Sequence, residues 1–330
     1  MQYTMTLKNM DNEPKTLSSI TPADEDTAQT ALRKRLIATV KNHICKKTPV
    51  AKLIPDLNIH YVASPKTELN CRYNISLGII LSGKKHLVIG DRSYFYGTGS
   101  MILTSVEVPT SFELLDVSPA TPFICVSLKL HPELLTQMLA KQSGKMQYKP
   151  DCFEVDRPVF EMLDDFERLL RLLDHPDQIE ERAPLLIRDI HYLAINSSAG
   201  RNLHGLYTAN TRGQSIRRAI SYVAKNFRED LSIEQMATIA GMAVTTFHRH
   251  FKEITKLSPL QYQKRIRLYE AQQFLLRGDG DVNTAAYSVG YQSPQQFSRD
   301  YKKLFGMPPG HSAKEVRKSL AEMLANQKVS

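Results

Sequence analysis

The sequence predicts an α+β chain: a β-sandwich or barrel with flanking helices, followed by an all-α domain containing two helix-turn-helix units. Three observations carry this reading. Short β-branched and aromatic runs recur at roughly 8–12-residue spacing between residues 58 and 130. A pattern of small residue, glycine and aromatics occurs twice in the last third. That third also holds all the excess positive charge: residues 211–318 contain 18 Lys+Arg and 9 Asp+Glu, against 43 and 34 in the whole chain, so the remainder is balanced.

Residues 1–21 read as a mobile start. From Asp24 to Ile44, Ala28, Leu32, Leu36, Ile37 and Val40 fall on one helical face. The period then shortens. "NIHYVA" (58–63), "NISLGIIL" (74–81), "KHLVIG" (85–90), "SYFYG" (93–97), "SMILTS" (100–105), "SFELLDV" (111–117) and "FICVSLKL" (123–130) read as strands. "SGKK" (82–85) and "GDRS" (90–93) read as the hairpin turns between neighbours. Helical spacing returns with Val159, Met162, Leu163, Phe166, Leu169, Leu170 and Leu173, then after Pro184 with Leu185, Leu186, Ile190, Leu193 and Ala194. These helices, within 158–195, either cover the barrel or form a dimer element. Residues 198–213, with three glycines in the surrounding stretch and no strong period, read as a linker. The expected division is therefore 22–197 for the β-rich domain, 214–318 for the helical domain and 319–330 for a tail.

The repeat defines the helical domain. In "LSIEQMATIAGMAVTTFHRHFKEITKLSP" (231–259), Ser232 and Gln235 have capping-box spacing, and Ala237 and Gly241 precede a helix built on Phe247 and Phe251. Phe247, Arg249, Phe251, Lys252 and Pro259 recur as Phe297, Arg299, Tyr301, Lys302 and Pro309. Ala237 and Gly241 recur as Ala286 and Gly290. Between the units, "SPLQYQKRIRLYEAQQFLLRG" (258–278) reads as one continuous helix, roughly 27 Å long at ~1.5 Å per residue. That is close to the ~34 Å between successive major-groove faces on one side of a duplex.

Composition narrows the function. No apolar run approaches the ~18 residues of a membrane span, and "MQYTMTLKNMDNEPKT" lacks the apolar core of a signal peptide. The cysteines Cys45, Cys71, Cys125 and Cys152 are scattered, without metal-finger spacing, which predicts a reduced, cytoplasmic protein without disulfides. A basic segment joined to a neutral one predicts a polyanion-binding module attached to a second binding function.

Residues 215–310 resemble the double helix-turn-helix DNA-binding domain of the AraC/XylS family of bacterial transcription regulators. The features are A-x-x-x-G followed by "TTFHRHFK", the "SPLQYQKRIRL" helix and "GYQSPQQFSRDYKKLFGMPP". The earlier part resembles the N-terminal domain of one subgroup, through "LGIILSGKKHLVIGD", "SMILTSVEVP" and "SPATPFICVSLKL". The resemblance implies a cupin-like β-barrel that senses an unidentified small-molecule effector, double-stranded promoter DNA as partner, and contact with RNA polymerase.

By the family's motif, Thr245, His248 and Arg249 take base-facing places, with Thr246 beside them. In the second unit the matching places are Pro294, Gln295, Ser298 and Arg299, flanked by Gln296. Pro294 offers no polar side chain. Arginine reads a guanine O6/N7 edge, and threonine can touch a thymine methyl. Lys252, Lys256, Lys302 and Lys303 read as phosphate contacts, which position the protein without specifying sequence. Lys264, Arg265 and Arg267 read either as phosphate contacts or as a solvated face. Phe247, Phe251, Phe297 and Tyr301 belong to the core.

The barrel carries no His-x-His, and His60, His86 and His131 are isolated, so neither a metal, a cofactor nor a catalytic residue is expected. Cys71 and Cys125 fall on strands, as core residues or as thiols that detect an electrophile. The rival reading is a cupin-type enzyme with an appended DNA-binding domain.

Overall fold

The computed structural model describes residues 27–44, 50–141 and 150–311. The expected mobile start, the 319–330 tail and Cys45 lie outside them. Helix α1 (Thr27–Ile44) buries Leu32, Leu36 and Val40 on one face. A short α2 (Val50–Leu53) leads into strands β1 (Leu57–Val62), β2 (Thr67–Tyr73), β3 (Ser76–Ser82), β4 (Lys84–Ile89), β5 (Arg92–Gly97), β6 (Met101–Thr104), β7 (Val108–Leu115) and β8 (Phe123–Lys129). Helix α3 (Pro132–Leu139) and strand β9 (Phe153–Asp156) follow.

The strands form two antiparallel sheets, ordered β1-β8-β3-β6-β9 and β2-β7-β4-β5. Strand β3 shows why the barrel has a hollow. Successive side chains point to opposite faces; Leu77, Ile79 and Leu81 are fully buried on one, while Ser76, Gly78 and Ile80 line an internal cavity. All seven expected strands are present within a few residues. Strand β9 was not anticipated, and of β2 only Cys71 was placed on a strand: "TELNCRY" lacks an apolar run, and a bulge between Glu68 and Cys71 breaks its alternation.

Helix α4 (Phe160–Arg171) buries the expected stripe from Met162 to Leu170. Helix α5 (Ile179–Asn196) starts before Pro184 and carries it inside, which corrects the expected start. Leu185, placed on the buried stripe by its spacing, is 69% exposed. The proposed linker is also corrected. Residues 198–213 contain a 3-10 turn (Ser198–Gly200), α6 (Arg201–Tyr207) and the start of α7 (Arg212–Lys225). Leu203, Leu206 and Tyr207 are fully buried, and the Tyr207 hydroxyl donates to the Ser105 carbonyl at 2.9 Å. The glycines serve close packing here: a Cβ on Gly213 would lie 2.2 Å from the Gly205 carbonyl oxygen.

The helical domain continues with α8 (Ile233–Ala240), α9 (Val244–Thr255), α10 (Pro259–Arg277), α11 (Val282–Ser288) and α12 (Pro294–Phe305). The α8–α9 turn needs Gly241 at φ 63°, and the α11–α12 turn needs Gly290 at φ 89°, where a Cβ would also meet the Arg228 carbonyl oxygen at 2.0 Å. Phe247, Phe251, Phe297 and Tyr301 are fully buried. Phe251 packs edge-on to Tyr262 of α10 at 5.4 Å between ring centroids, tying the first unit to the connecting helix.

Ser258 and Gln261 form a reciprocal capping box at the start of α10. Ser258→Ala is expected to cost about 1 kcal/mol, read as a lowered urea midpoint with unchanged slope.

Candidate nucleic-acid interface and barrel cavity

On α9, Thr245, Arg249 and Lys252 are exposed, and Thr246 and His248 are half-buried. On α12, Gln295, Gln296, Arg299, Lys302 and Lys303 are exposed and Ser298 is half-buried. Thr245, Arg249, Gln295 and Arg299 lie opposite the buried aromatics of their own helix, while His248 and Ser298 flank them. Ser293 caps α12 by accepting from the Gln296 backbone N–H, and its hydroxyl donates to Gln295 Oε1 at 2.8 Å. His250 turns aside to Glu253, with Nδ1 2.9 Å from the carboxylate.

Arg265 and Arg267 of the connecting helix are used internally, which corrects both readings of them, while Lys264 stays exposed. Arg267 donates to the Phe227 and Glu229 carbonyls at 2.6 and 2.7 Å, and Lys264 bridges to Asp300 of α12 at 2.9 Å. Arg265 lies against the barrel, its guanidinium pKa lowered by burial. Lys256 is likewise not on open surface. Its side chain is 9% exposed, Nζ lies 2.5 Å from Asp151 Oδ2, and it donates to the Glu253 carbonyl. It occupies the end of an open cleft that Arg249 and Lys252 share with Asp91 and Asp151 of the β-rich domain.

Domain packing at this point is close. The Cys152 N–H donates to the Ile254 carbonyl at 3.2 Å. A Cβ on Gly90, in the β4–β5 turn, would stand 2.0 Å from the Lys256 carbonyl oxygen. The C-terminal end of α9 is therefore held against the barrel.

A second seam joins β2 to α10. Arg72 Nη2 donates to Glu107 at 2.5 Å and Nη1 to Glu270 of α10 at 3.0 Å. Asn70 Nδ2 donates to the Arg265 carbonyl at 3.0 Å, and the Tyr262 hydroxyl to the Glu107 carbonyl at 2.8 Å. Asn70 Oδ1, Arg72 Nε and Arg265 Nη1 are buried there without a protein partner. Burying a polar atom unpaired costs about 1–3 kcal/mol, so this seam combines specific bonds with substantial opposing terms.

Arg72 also lines the barrel cavity, whose volume is about 340 Å³. Ile80, Ile102, Phe112, Phe123 and Cys125 supply an apolar wall. Lys66, Arg72, Lys85 and Lys129 bring positive charge, with no Asp or Glu among the lining residues. Such a cavity suits a molecule with an apolar body and an anionic end.

Neither thiol has the environment of a reactive one. Burial pushes Cys71 up to about 11 and Cys125 up to about 12, so both are protonated near neutrality. His60, His86 and His131 have separate neighbours, respectively Ser127, Ser93 and Asp56. Among the described residues no His, Cys, Asp and Glu group is placed to hold a metal ion, and no helix is long and apolar enough to cross a membrane.

Of the base-reading candidates named from the sequence, Thr245, Arg249, Gln295, Gln296 and Arg299 are exposed and the other three half-buried. The sequence missed the Arg72 clamp and the Lys256–Asp151 pair, whose partners come from distant elements without any local motif.

Residues 53–202 match the AraC-type transcriptional regulator N-terminus, and residues 236–315 match a helix-turn-helix domain. The HTH-type transcriptional activator RhaS of Enterobacter sp. (strain 638) is 23% identical over 241 residues, 72% of this chain and 76% of that protein. RhaS of Pectobacterium carotovorum subsp. carotovorum (strain PC1) is 26% identical over 102 residues, 31% of this chain and 37% of its own. The fold is similar to that of ToxT from Vibrio cholerae. Its complex with (E)-4-(8-methylnaphthalen-1-yl)but-3-enoic acid has TM-score 0.54 at 13% identity, covering 78% of this chain and 97% of that one. Its unsaturated fatty acid complex has TM-score 0.51 at 14% identity, covering 78% and 94%. The β-rich domain and the helix-turn-helix region thus each match a family model, and the chain belongs to the AraC family of DNA-binding transcriptional regulators.

Proposed function

We propose that this regulator reads two adjacent major grooves with α9 and α12, and that an apolar carboxylate in the barrel cavity controls how those helices are presented. The observation that carries the control is Arg72, which lines the cavity and holds Glu270 of α10. A carboxylate entering the cavity competes with Glu107 and Glu270 for one guanidinium and so bears on the seam. The two ToxT structures, with an unsaturated fatty acid and an aryl butenoic acid, support this ligand chemistry. The test is thermal unfolding and operator binding with a series of apolar carboxylates and their matching alcohols. Carboxylates shift both measurements and alcohols neither; equal responses would remove the anionic end from recognition.

In this reading Thr245, Thr246, His248, Arg249, Gln295, Gln296, Ser298 and Arg299 face base edges. Lys252, Lys302 and Lys303 meet phosphates. Helix α10, 19 residues long, holds the two readers roughly 28 Å apart at ~1.5 Å per residue, near the helical repeat of the duplex. The functional division is 22–197 for effector binding and 214–318 for DNA binding, with α6 packed between them. Helix α5, with Leu185 and Tyr192 exposed, is the candidate dimer element, and RNA polymerase is the partner on the promoter.

The described conformation is the closed one in this scheme. Asp91 and Asp151 stand where phosphates would approach Arg249 and Lys252, and Lys256 reaches DNA only after leaving Asp151. Asp151→Asn is expected to raise operator affinity about two- to fivefold, the worth of a partly exposed ion pair of roughly 0.5–1 kcal/mol. Titration of a labelled operator at fixed salt measures it; unchanged or weakened binding would mean that the pair does not restrain α9.

A further inference from the structure

Lys85 differs from the other cations of the cavity. It lies on β4 and is 8% exposed, whereas Lys66 and Lys129 are exposed at the mouth. Its Nζ sits 3.7 Å from the centroid of the Phe112 ring, 5.2 Å from that of Tyr73 and 5.6 Å from that of Phe123. Lys66 is paired with Glu68, and Arg72 with Glu107 and Glu270. Among the described residues no carboxylate pairs with Lys85. The amine is thus presented to the cavity between aromatic faces, without a counter-ion.

Desolvation dominates its chemistry, pushing Lys85 down to about 8, with a smaller downward effect from Lys66 and opposing effects from Cys125, Cys71 and Glu68. Near neutrality its unprotonated fraction exceeds that of an exposed lysine by about two orders of magnitude. A desolvated lysine in an apolar pocket is the arrangement that makes an amine nucleophilic toward carbonyls.

We infer that Lys85 forms a reversible imine with the effector, and that the cavity takes a carbonyl compound whose apolar body ends in an anionic group. The inference rests on the proposed role of the cavity and narrows its ligand class. The carbonyl meets the inner amine and the anionic end meets the cavity's other cations, Arg72 among them. In the reaction the Nζ lone pair adds to the carbonyl carbon, and a proton passes from nitrogen to oxygen to give a carbinolamine. The C–O bond then breaks, water leaves and the C=N bond forms. Nothing is oxidised or reduced, and hydrolysis returns the free amine, as a sensor requires.

The test uses the full chain, 4-carboxybenzaldehyde and cyanoborohydride at about pH 7.5, with peptide mapping of the trapped product. The matched ligand without a carbonyl is 4-(hydroxymethyl)benzoate. Expected is one dominant adduct at Lys85, at least about tenfold above any other lysine, and its loss in folded Lys85→Arg and Lys85→Met. Adducts spread evenly over the lysines would overturn the inference. If both ligands raise the unfolding midpoint of wild type and Lys85→Arg equally and no adduct forms, the cavity reading stands and the imine falls. If neither ligand shifts the midpoint and no adduct forms, both fall.

Discussion

Arg299→Ala weakens binding to an operator selected from random duplexes by roughly 1–3 kcal/mol, and relaxes preference at one position of one half-site. Arg249→Ala does the same in the other half-site. The argument is local in each case. Phe297 and Tyr301 on one side of α12, and Phe247 and Phe251 on α9, are fully buried, which fixes the rotation of each helix about its axis. Rotation fixes what faces outward, and in both helices an arginine follows the first buried aromatic by two residues. A guanidinium presented that way offers two parallel donors to a guanine edge, and no neighbouring side chain replaces them after truncation. The effects of the two substitutions add, because the readers are separated by the length of α10.

Lys302→Ala separates this role from charge alone. It should weaken cognate and random DNA alike and flatten the salt dependence by roughly one phosphate contact. Equal losses on cognate and random duplexes for both arginines would reassign them to the phosphate backbone.

The helical domain was legible because its determinants are short-range. Capping serines, turn glycines and aromatics four residues apart each constrain a few neighbouring residues, and the second copy repeats them. The strands were legible where one face is buried, and β2 was so only at Cys71, because its polar residues serve the edge and the seam. The glycines of residues 198–213 misled for a different reason. Glycine marks both a flexible connection and a close approach of backbones, and only the tertiary neighbours of Gly205 and Gly213 distinguish them. The expected base-facing positions came from the family's motif, whereas the contacts proposed for control have no motif. Arg72 meets carboxylates 35 and 198 residues away, and Lys256 meets an aspartate across the domain boundary. No periodicity encodes such pairs. Lys264 and Arg267 fitted a phosphate-facing stripe or a solvated face equally well by sequence, and the Phe227 and Glu229 carbonyls after α7 and the carboxylate of Asp300 are the acceptors they meet.

Arg72→Gln and Glu270→Gln are expected to separate ligand capture from its transmission. Arg72 is the shared donor. Removing it leaves Glu107 and Glu270 facing each other across the seam, so the closed arrangement loses two charge-assisted bonds and gains a repulsion. The side chains are 20%, 31% and 29% exposed, which screens part of this; roughly 1–3 kcal/mol is expected, below the cost of breaking a fully buried pair. That shifts a closed–open equilibrium by about five- to 150-fold, enough to make operator binding largely independent of a cavity ligand. Arg72→Gln also takes a cation from the cavity and weakens carboxylate binding. Glu270→Gln leaves Arg72 and its Glu107 partner in place, so the carboxylate still binds and still raises the unfolding midpoint. Its operator affinity should nevertheless no longer follow ligand concentration. A Glu270→Gln protein that binds the carboxylate and changes operator affinity with wild-type amplitude would take the β2–α10 seam out of the pathway. The Asp151–Lys256 contact would then be the remaining route from barrel to reading helix.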